Sequence, residues 1–427
     1  MIDLEEQLRA ALRVYADGME SSTPTMAVLP AASQRDGINA KRWLAIGAAV
    51  SLLLVAAGSV LVLKHGQRIV PQDRLNESWS VASRMPLKAR REPNILWTGS
   101  EFLVWGGSSG TSGLSDGALY DPTSDGWRFI AANAHVRPGS VAVWTGDEMV
   151  VPSDSGAEAY NPSTDRWTAL PDLIPSVAGA TFTDVVWSGQ TLLGVEIRQN
   201  NDGGQSSTAS VWELDDSRES WEASSPVLDL GFDVPSRGPF TSDSFHSHEI
   251  VTTDDGFALW DGELLGWRYS LTDGWSRLPA MASYDGDVLI TNTELVWADD
   301  SLITIAVGRT AIQDDTRLSR LTDRGWSAWE PVYDRSVLGA SYEPAGGLLM
   351  TFGLGASPHN DPLLIDIVDA TARVAVDSPL EAVIEQGVGW SGKQLLICGG
   401  QTPNSDSSEQ TTDGPTPLSE QCVLWSP

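Results

Sequence analysis

The sequence predicts an all-β fold, a β-propeller of seven four-stranded blades, standing behind a short amphipathic helix and one transmembrane helix. Three observations predict it. A unit of strand, turn and strand built on a tryptophan recurs through most of the 427-residue chain. A second tryptophan, behind a polar turn, closes most of the units. Ahead of them lies one uncharged run long enough to cross a bilayer.

At the N-terminus, Asp3 can cap a helix with Glu6 three residues on, and Leu4, Leu8, Leu12, Tyr15 and Met19 then share one face. Residues 1–42 form a tail, with this helix over 4–19 and a flexible, Pro-containing tether over 20–42. Trp43 to Leu63 are 21 residues without a charge, and a helix of that length matches a hydrocarbon core of roughly 30 Å. Six acidic residues precede the run, unlike the basic start of a cleaved signal, so an uncleaved anchor is expected. A connector over 64–78 leads to the propeller, 79–427.

The repeat is read from its turns. Trp97-Thr98-Gly99, Trp144-Thr145-Gly146, Trp187-Ser188-Gly189, Trp297-Ala298-Asp299 and Trp390-Ser391-Gly392 each run into a short apolar strand. Weaker copies at Thr252 to Leu259 and Tyr342 to Met350 bring the units to seven, at intervals of 43 to 65 residues. Trp127, Trp167, Trp221, Trp275 and Trp326 follow turns rich in Asp, Ser, Thr or Gly. Two of these turns begin Asp121-Pro122 and Asn161-Pro162, where Pro presets the backbone and the preceding side chain accepts a local hydrogen bond. Hairpins between third and fourth strands are the expected result, and four strands at such a period mark a propeller.

Gly106-Gly107, Tyr120 and Trp127 resemble the kelch pattern: a glycine pair after the second strand, a tyrosine in the third and a tryptophan in the fourth. Tyr160 and Trp167 repeat the end of that pattern, and Gly399-Gly400 its start. The resemblance implies a structural role for these residues and for Trp79, Trp97, Trp144, Trp187, Trp221, Trp275, Trp297, Trp326 and Trp390. It also implies interlocked closure: Trp79 to Ala82 supply the strand that the last unit lacks. The layout of tail, span and outer domain is similar to that of actinobacterial envelope proteins. Galactose oxidase shares the kelch-type propeller, but its copper chemistry needs a cysteine bonded to a tyrosine, and both cysteines here have a better use. Ser124-Asp125-Gly126-Trp127 and Thr272-Asp273-Gly274-Trp275 are too compressed for the Asp-box of sialidases.

Seven of the 27 basic and six of the 57 acidic residues precede position 70, leaving 20 against 51 and a formal charge of −31 beyond it. Such a field repels phosphate backbones and anionic lipid heads, which argues against nucleic-acid binding. Cys398 and Cys422 are the only cysteines, and their spacing matches no zinc motif. Cys398 ends the second strand of the last blade and Cys422 begins its third, so antiparallel pairing sets them side by side for a disulfide. Two reduced, buried cysteines are the alternative. Flanking basic residues do not decide orientation. The cysteine pair and the large acidic domain favour an inside N-terminus and an extracytoplasmic propeller.

No catalytic constellation is found, and no cofactor is expected. His246 and His248, two apart on an extended segment, would face one way as metal ligands do, with Asp243, Asp254, Asp255, His135 or His359 available as a third. A polar segment without metal is the reading adopted. Trp105, Trp212 and Trp329 fall outside the repeat positions and are candidates for exposed sugar platforms, with core as the alternative adopted. Asn200 to Thr208 and Gln401 to Glu420 read as long polar loops, where binding often resides. The expected function is a membrane-anchored module that binds, senses or scaffolds, recognising a protein, glycan or small ligand outside the cell. Its N-terminal helix would contact a cytosolic partner or the membrane surface. An envelope hydrolase or oxidase, with residues converging from several blades, is the other reading.

Overall fold

The computed structural model describes residues 77–427 apart from 110–111, 173–183, 200–206, 232–248, 262–264, 299, 311–312, 335–341, 346–347, 352–361, 368, 376, 381–384 and 402–417. The helix over 4–19, the tether, the span over 43–63 and nearly all of the connector lie outside the described residues, as do His246 and His248. The described residues fall within one compact unit, Asp73–Pro427.

Seven antiparallel sheets follow one another, a succession consistent with a propeller. The first contains Asn94–Trp97, Phe102–Trp105, Gly117–Asp121 and Gly126–Phe129, and the second Val143–Trp144, Met149–Pro152, Ala157–Asn161 and Arg166–Ala169. The third is built on Asp184–Trp187, Leu192–Gln199, Ser207–Leu214 and Trp221–Ala223. The fourth has Glu249–Thr253, Gly256–Trp260, Gly266–Ser270 and Gly274–Arg277. The fifth is built on Val288–Ala298, Ser301–Arg309, Asp314–Thr322 and Gly325–Trp326. The sixth has Tyr342–Ala345, Leu348–Thr351, Leu363–Asp366 and Thr371–Val374. In the seventh, Gly387–Trp390, Leu395–Cys398 and Cys422–Ser426 are completed by Ser78–Val81 from the start of the unit.

The core is divided as the sheets are. Successive side chains of a strand point to opposite faces, so Phe102 and Val104 pack towards the seventh sheet while Leu103 and Trp105 pack towards the second. Five further second strands and, in the sixth sheet, the third strand Leu363–Asp366 divide in the same way, and seven apolar clusters result, one between each pair of successive sheets, the seventh and first included. Burying each large side chain contributes roughly 1.5–3 kcal/mol. This two-sided burial explains why the second strands read as continuous apolar runs rather than alternating ones.

Two expectations about the sheets are corrected. The third sheet has a fifth strand, Leu228–Asp229, and the fifth sheet has six, adding Tyr284–Asp285 and Glu330–Tyr333. Their central strands are longer, 8 residues in Leu192–Gln199 and Ser207–Leu214 and 9 to 11 in Val288–Ala298, Ser301–Arg309 and Asp314–Thr322. The extra length leaves backbone hydrogen-bonding groups that a short added strand satisfies. The polar stretch from Asn200 to Thr208 is also not all loop, because Ser207 and Thr208 begin a strand opposite Gln199 and Arg198.

At the seam, Trp79 lies opposite Trp425, and the first strand of the seventh sheet packs on that of the first. A Cβ on Gly387 would sit 2.1 Å from the carbonyl oxygen of Pro93, and one on Gly389 would sit 2.6 Å from that of Ile95. Only glycine admits so close a backbone. Cys398 and Cys422 are direct partners in the ladder, Cα atoms 4.2 Å apart, and form a disulfide.

Candidate functional site

In an antiparallel sheet, the turn joining strands one and two and the turn joining strands three and four lie at the same end. At that end the Trp-x-Gly turns have a shared local design. Thr98 Oγ1 accepts the amide hydrogen of Glu101 at 3.0 Å and donates to its carbonyl at 2.9 Å. Thr145 binds Glu148, Ser188 binds Thr191 and Ser391 binds Gln394 in the same way. The residue after each hydroxyl must turn left-handed, with φ of 97° at Gly99, 106° at Gly146, 83° at Gly189 and 85° at Gly392. Glycine takes that conformation without steric cost.

The turns at this end of sheets one to three surround a cleft of about 720 Å³. Its walls carry the indoles of Trp144 and Trp187, the carboxylates of Glu101, Asp147, Glu148, Asp215 and Asp216, and the guanidinium groups of Arg128 and Arg218. Arg128 pairs with Glu101 at 2.8 Å within the first sheet. Arg218 of the third sheet pairs with Glu148 of the second at 2.7 Å, tying two sheets together across the cleft. Asp215 is occupied by its own turn: the Ser217 hydroxyl and the Ser220 amide donate to its carboxylate, holding its pKa below the usual range. Both tryptophans are half-buried, Trp144 beside the cluster between sheets one and two and Trp187 beside that between sheets two and three.

The predicted aromatic landmarks take two kinds of position. Trp97, Trp144, Trp187 and Trp390 end the first strands of their sheets, Trp297 stands one residue before the end of Val288–Ala298, and all five are half-buried. Trp127, Trp167 and Trp326 lie in the fourth strands and donate to the segment that follows the previous sheet, while Trp275, also in a fourth strand, donates to Ser225 between two strands of the third sheet. Trp221 donates to Pro171, after the second sheet, and Trp79 packs beside the cluster between sheets six and seven. Tyr120 and Tyr160 are buried, each ring against its tryptophan, with centroids 4.8 and 5.1 Å apart.

The glycine pairs lie at the opposite end. Gly106, Gly107, Gly399 and Gly400 all have positive φ. A Cβ on Gly107 would come 2.5 Å from the Arg91 carbonyl oxygen, and one on Gly399 would come 2.4 Å from that of Arg90. The two pairs therefore receive one backbone segment, where the chain crosses from the seventh sheet to the first. Beside it, fully buried Arg90 donates to the Gly106 carbonyl at 2.8 Å and to the Asp116 carboxylate at 3.0 and 3.2 Å. A buried charge so paired is a structural group. Glu385 binds Arg91 at 3.2 Å, yet burial, and next the nearby Glu92, raise its pKa against that pull.

The core reading adopted for the sugar-platform candidates holds for Trp105 and Trp329. Trp105 is wholly buried and Trp329 7 % exposed, while the indole nitrogen of half-buried Trp212 is sealed from solvent. Trp105 and Trp329 belong to clusters between sheets, and Trp212 packs beside one. Of the ligands proposed for His246 and His248, His135 is exposed. Asp254 accepts the Trp297 indole hydrogen at 3.0 Å, and Asp255 pairs with Arg268 at 2.8 Å. Among the described residues no group of three or more His, Cys, Asp or Glu is placed to hold a metal ion.

Sequence reasoning did not find the cleft carboxylates or Arg128 and Arg218. Glu101 and Glu148 each stand two residues after a turn glycine, a repeated signal that would have pointed to them.

No family model matches the chain, and no curated protein matches its sequence. Among solved structures, an oligogalacturonate lyase in complex with manganese is similar at a TM-score of 0.51 and 11% identity, covering 82% of this chain and 96% of that one. YjhT is similar at a TM-score of 0.41 and 14% identity, covering 69% of this chain and 99% of that one. At 11% identity the first likeness is one of fold alone, and the second adds nothing to it.

Proposed function

We propose that the chain is a membrane-anchored, extracytoplasmic binding module. Its seven-bladed, kelch-like propeller is closed by the strand Ser78–Val81 and takes a ligand at the end of the ring where sheets one to three meet. The cleft carries this reading. It is large enough for a small ligand or a short chain segment, and binding sites are concave, with aromatic faces and a few placed polar groups. The disulfide supports an oxidising compartment, and the uncharged run over 43–63 supports the anchor.

The test is photo-crosslinking in intact cells with a photoreactive residue replacing Ser163, which is exposed and lines the cleft. A covalent adduct with a component outside the membrane is expected from this position. The same residue replacing exposed Asp323 in the fifth sheet should form none. No adduct at either position, or the same adduct at both, would contradict the proposal.

A further inference from the structure

Resting on that binding cleft, we infer that its ligand is a cationic chain, a lysine-rich segment of another protein. The cleft has five carboxylates against two guanidinium groups, and both guanidinium groups are committed to Glu101 and Glu148. Asp147 and Asp216 are exposed and make no hydrogen bond or ion pair among the described residues. An arriving ammonium group therefore meets two uncompensated carboxylates with no existing partner to displace.

The second observation is independent of charge. Trp144 and Trp187 line the same cleft, each half-buried beside an apolar cluster. An indole face attracts a cation through its quadrupole and packs against the methylene stem of a lysine. Aromatic faces alone would also suit a neutral sugar, and carboxylates alone would be a solvated surface. Their combination selects a group that is apolar along its stem and positive at its tip. Beyond position 70 the chain carries a formal charge of −31, a field that draws cationic segments towards it. A cleft open across three sheets suits an extended chain better than a compact ion.

The experiment uses the full chain in a non-ionic polyoxyethylene detergent, with fluorescein-labelled hexalysine as the probe and anisotropy as the readout. Saturable binding is expected. The double substitution Asp147→Asn with Asp216→Asn, and separately Trp144→Ala, should each weaken it about tenfold, the scale of a partly desolvated cation–π or charge contact. Substituting Asp300→Asn with Asp323→Asn removes the same charge from exposed sites in the fifth sheet and should change affinity less than about twofold, as distant exposed charges are screened. The asparagine variants remove exposed charges only, so the test survives if the tryptophan variant fails to fold. Equal weakening by both asparagine pairs would overturn the inference by reducing the effect to net charge. Binding of maltohexaose instead of hexalysine, lost in Trp144→Ala, would overturn the cationic class while leaving the cleft a binding site. No binding of either probe would also overturn the inference, and the crosslink at position 163 would then decide separately whether the cleft binds anything.

Discussion

The indole nitrogen of Trp127 donates to the carbonyl oxygen of Ser83 at 2.9 Å, across the seam where the unit's first strand meets its last sheet. Beside this bond, Asp125 accepts the Ser83 amide at 2.7 Å and the Tyr120 hydroxyl at 2.8 Å. The second sheet repeats the arrangement on the first. Trp167 donates to Ala131 at 2.7 Å, while Asp165 accepts the Ala131 amide at 2.8 Å and the Tyr160 hydroxyl at 2.7 Å. Trp221 and Trp326 make the tryptophan bond to Pro171 and Pro279. A tyrosine and a tryptophan thus latch the first and second sheets to the one before, a tryptophan alone does so for the third and fifth, and the seam is held by the same latch as the junction of sheets one and two.

Trp127→Phe keeps most of the ring packing and removes the bond to Ser83. A net loss of about 1 kcal/mol is expected, the size of one intramolecular hydrogen bond. Chemical denaturation of the full chain measures it, and Trp167→Phe should cost a similar amount because its bond is equivalent. A seam variant costing far more than its counterpart would show that the ring opens at this junction.

The same latches predict an acid limb to stability. The Ser83 amide, and next the Tyr120 hydroxyl, hold the Asp125 carboxyl below the usual range. The Tyr160 hydroxyl, and next the Ala131 amide, do so for Asp165. A carboxyl depressed in the folded state stabilises above its unfolded value of about 3.9, and that contribution is lost as pH falls through the lower folded value. The stability difference between the natural chain and the double variant Asp125→Ala with Asp165→Ala should therefore be constant above about pH 5 and shrink below about pH 4. Denaturation midpoints across this range test it. A difference unchanged at the lowest pH would remove these carboxylates from the account.

Removing the disulfide should cost about 3 kcal/mol by the chain-entropy estimate for a loop of this size, since Cys398 and Cys422 are 24 residues apart. The check is the denaturation midpoint of Cys398→Ser with Cys422→Ser against that of the oxidised chain, with mass spectrometry of unreduced protein showing the linked peptides. Free thiols at both positions in unreduced protein would contradict the pairing.

What could be read beforehand was whatever has a local mechanism. Trp144-Thr145-Gly146 signals a hairpin because the hydroxyl closes the turn and the glycine permits it. Cys398 and Cys422 were readable because strand order sets them opposite each other. The added strands Leu228–Asp229 and Tyr284–Asp285 have two residues each, too few to show a period, and they form only because longer strands beside them need partners. The cleft was hidden for a different reason. Glu148 and Arg218 meet at 2.7 Å from positions 70 apart in the chain, and only the succession of sheets brings them together.

The claim that the module works outside the cytoplasm is tested most directly by protease added to intact spheroplasts expressing the full chain with an N-terminal tag. The account predicts cleavage within residues 79–427, while the tag stays joined to a protected fragment containing residues 1–42 and the span. Protection of the propeller with loss of the tag would reverse the orientation, and it would leave both the disulfide and a ligand from outside the cell without a basis.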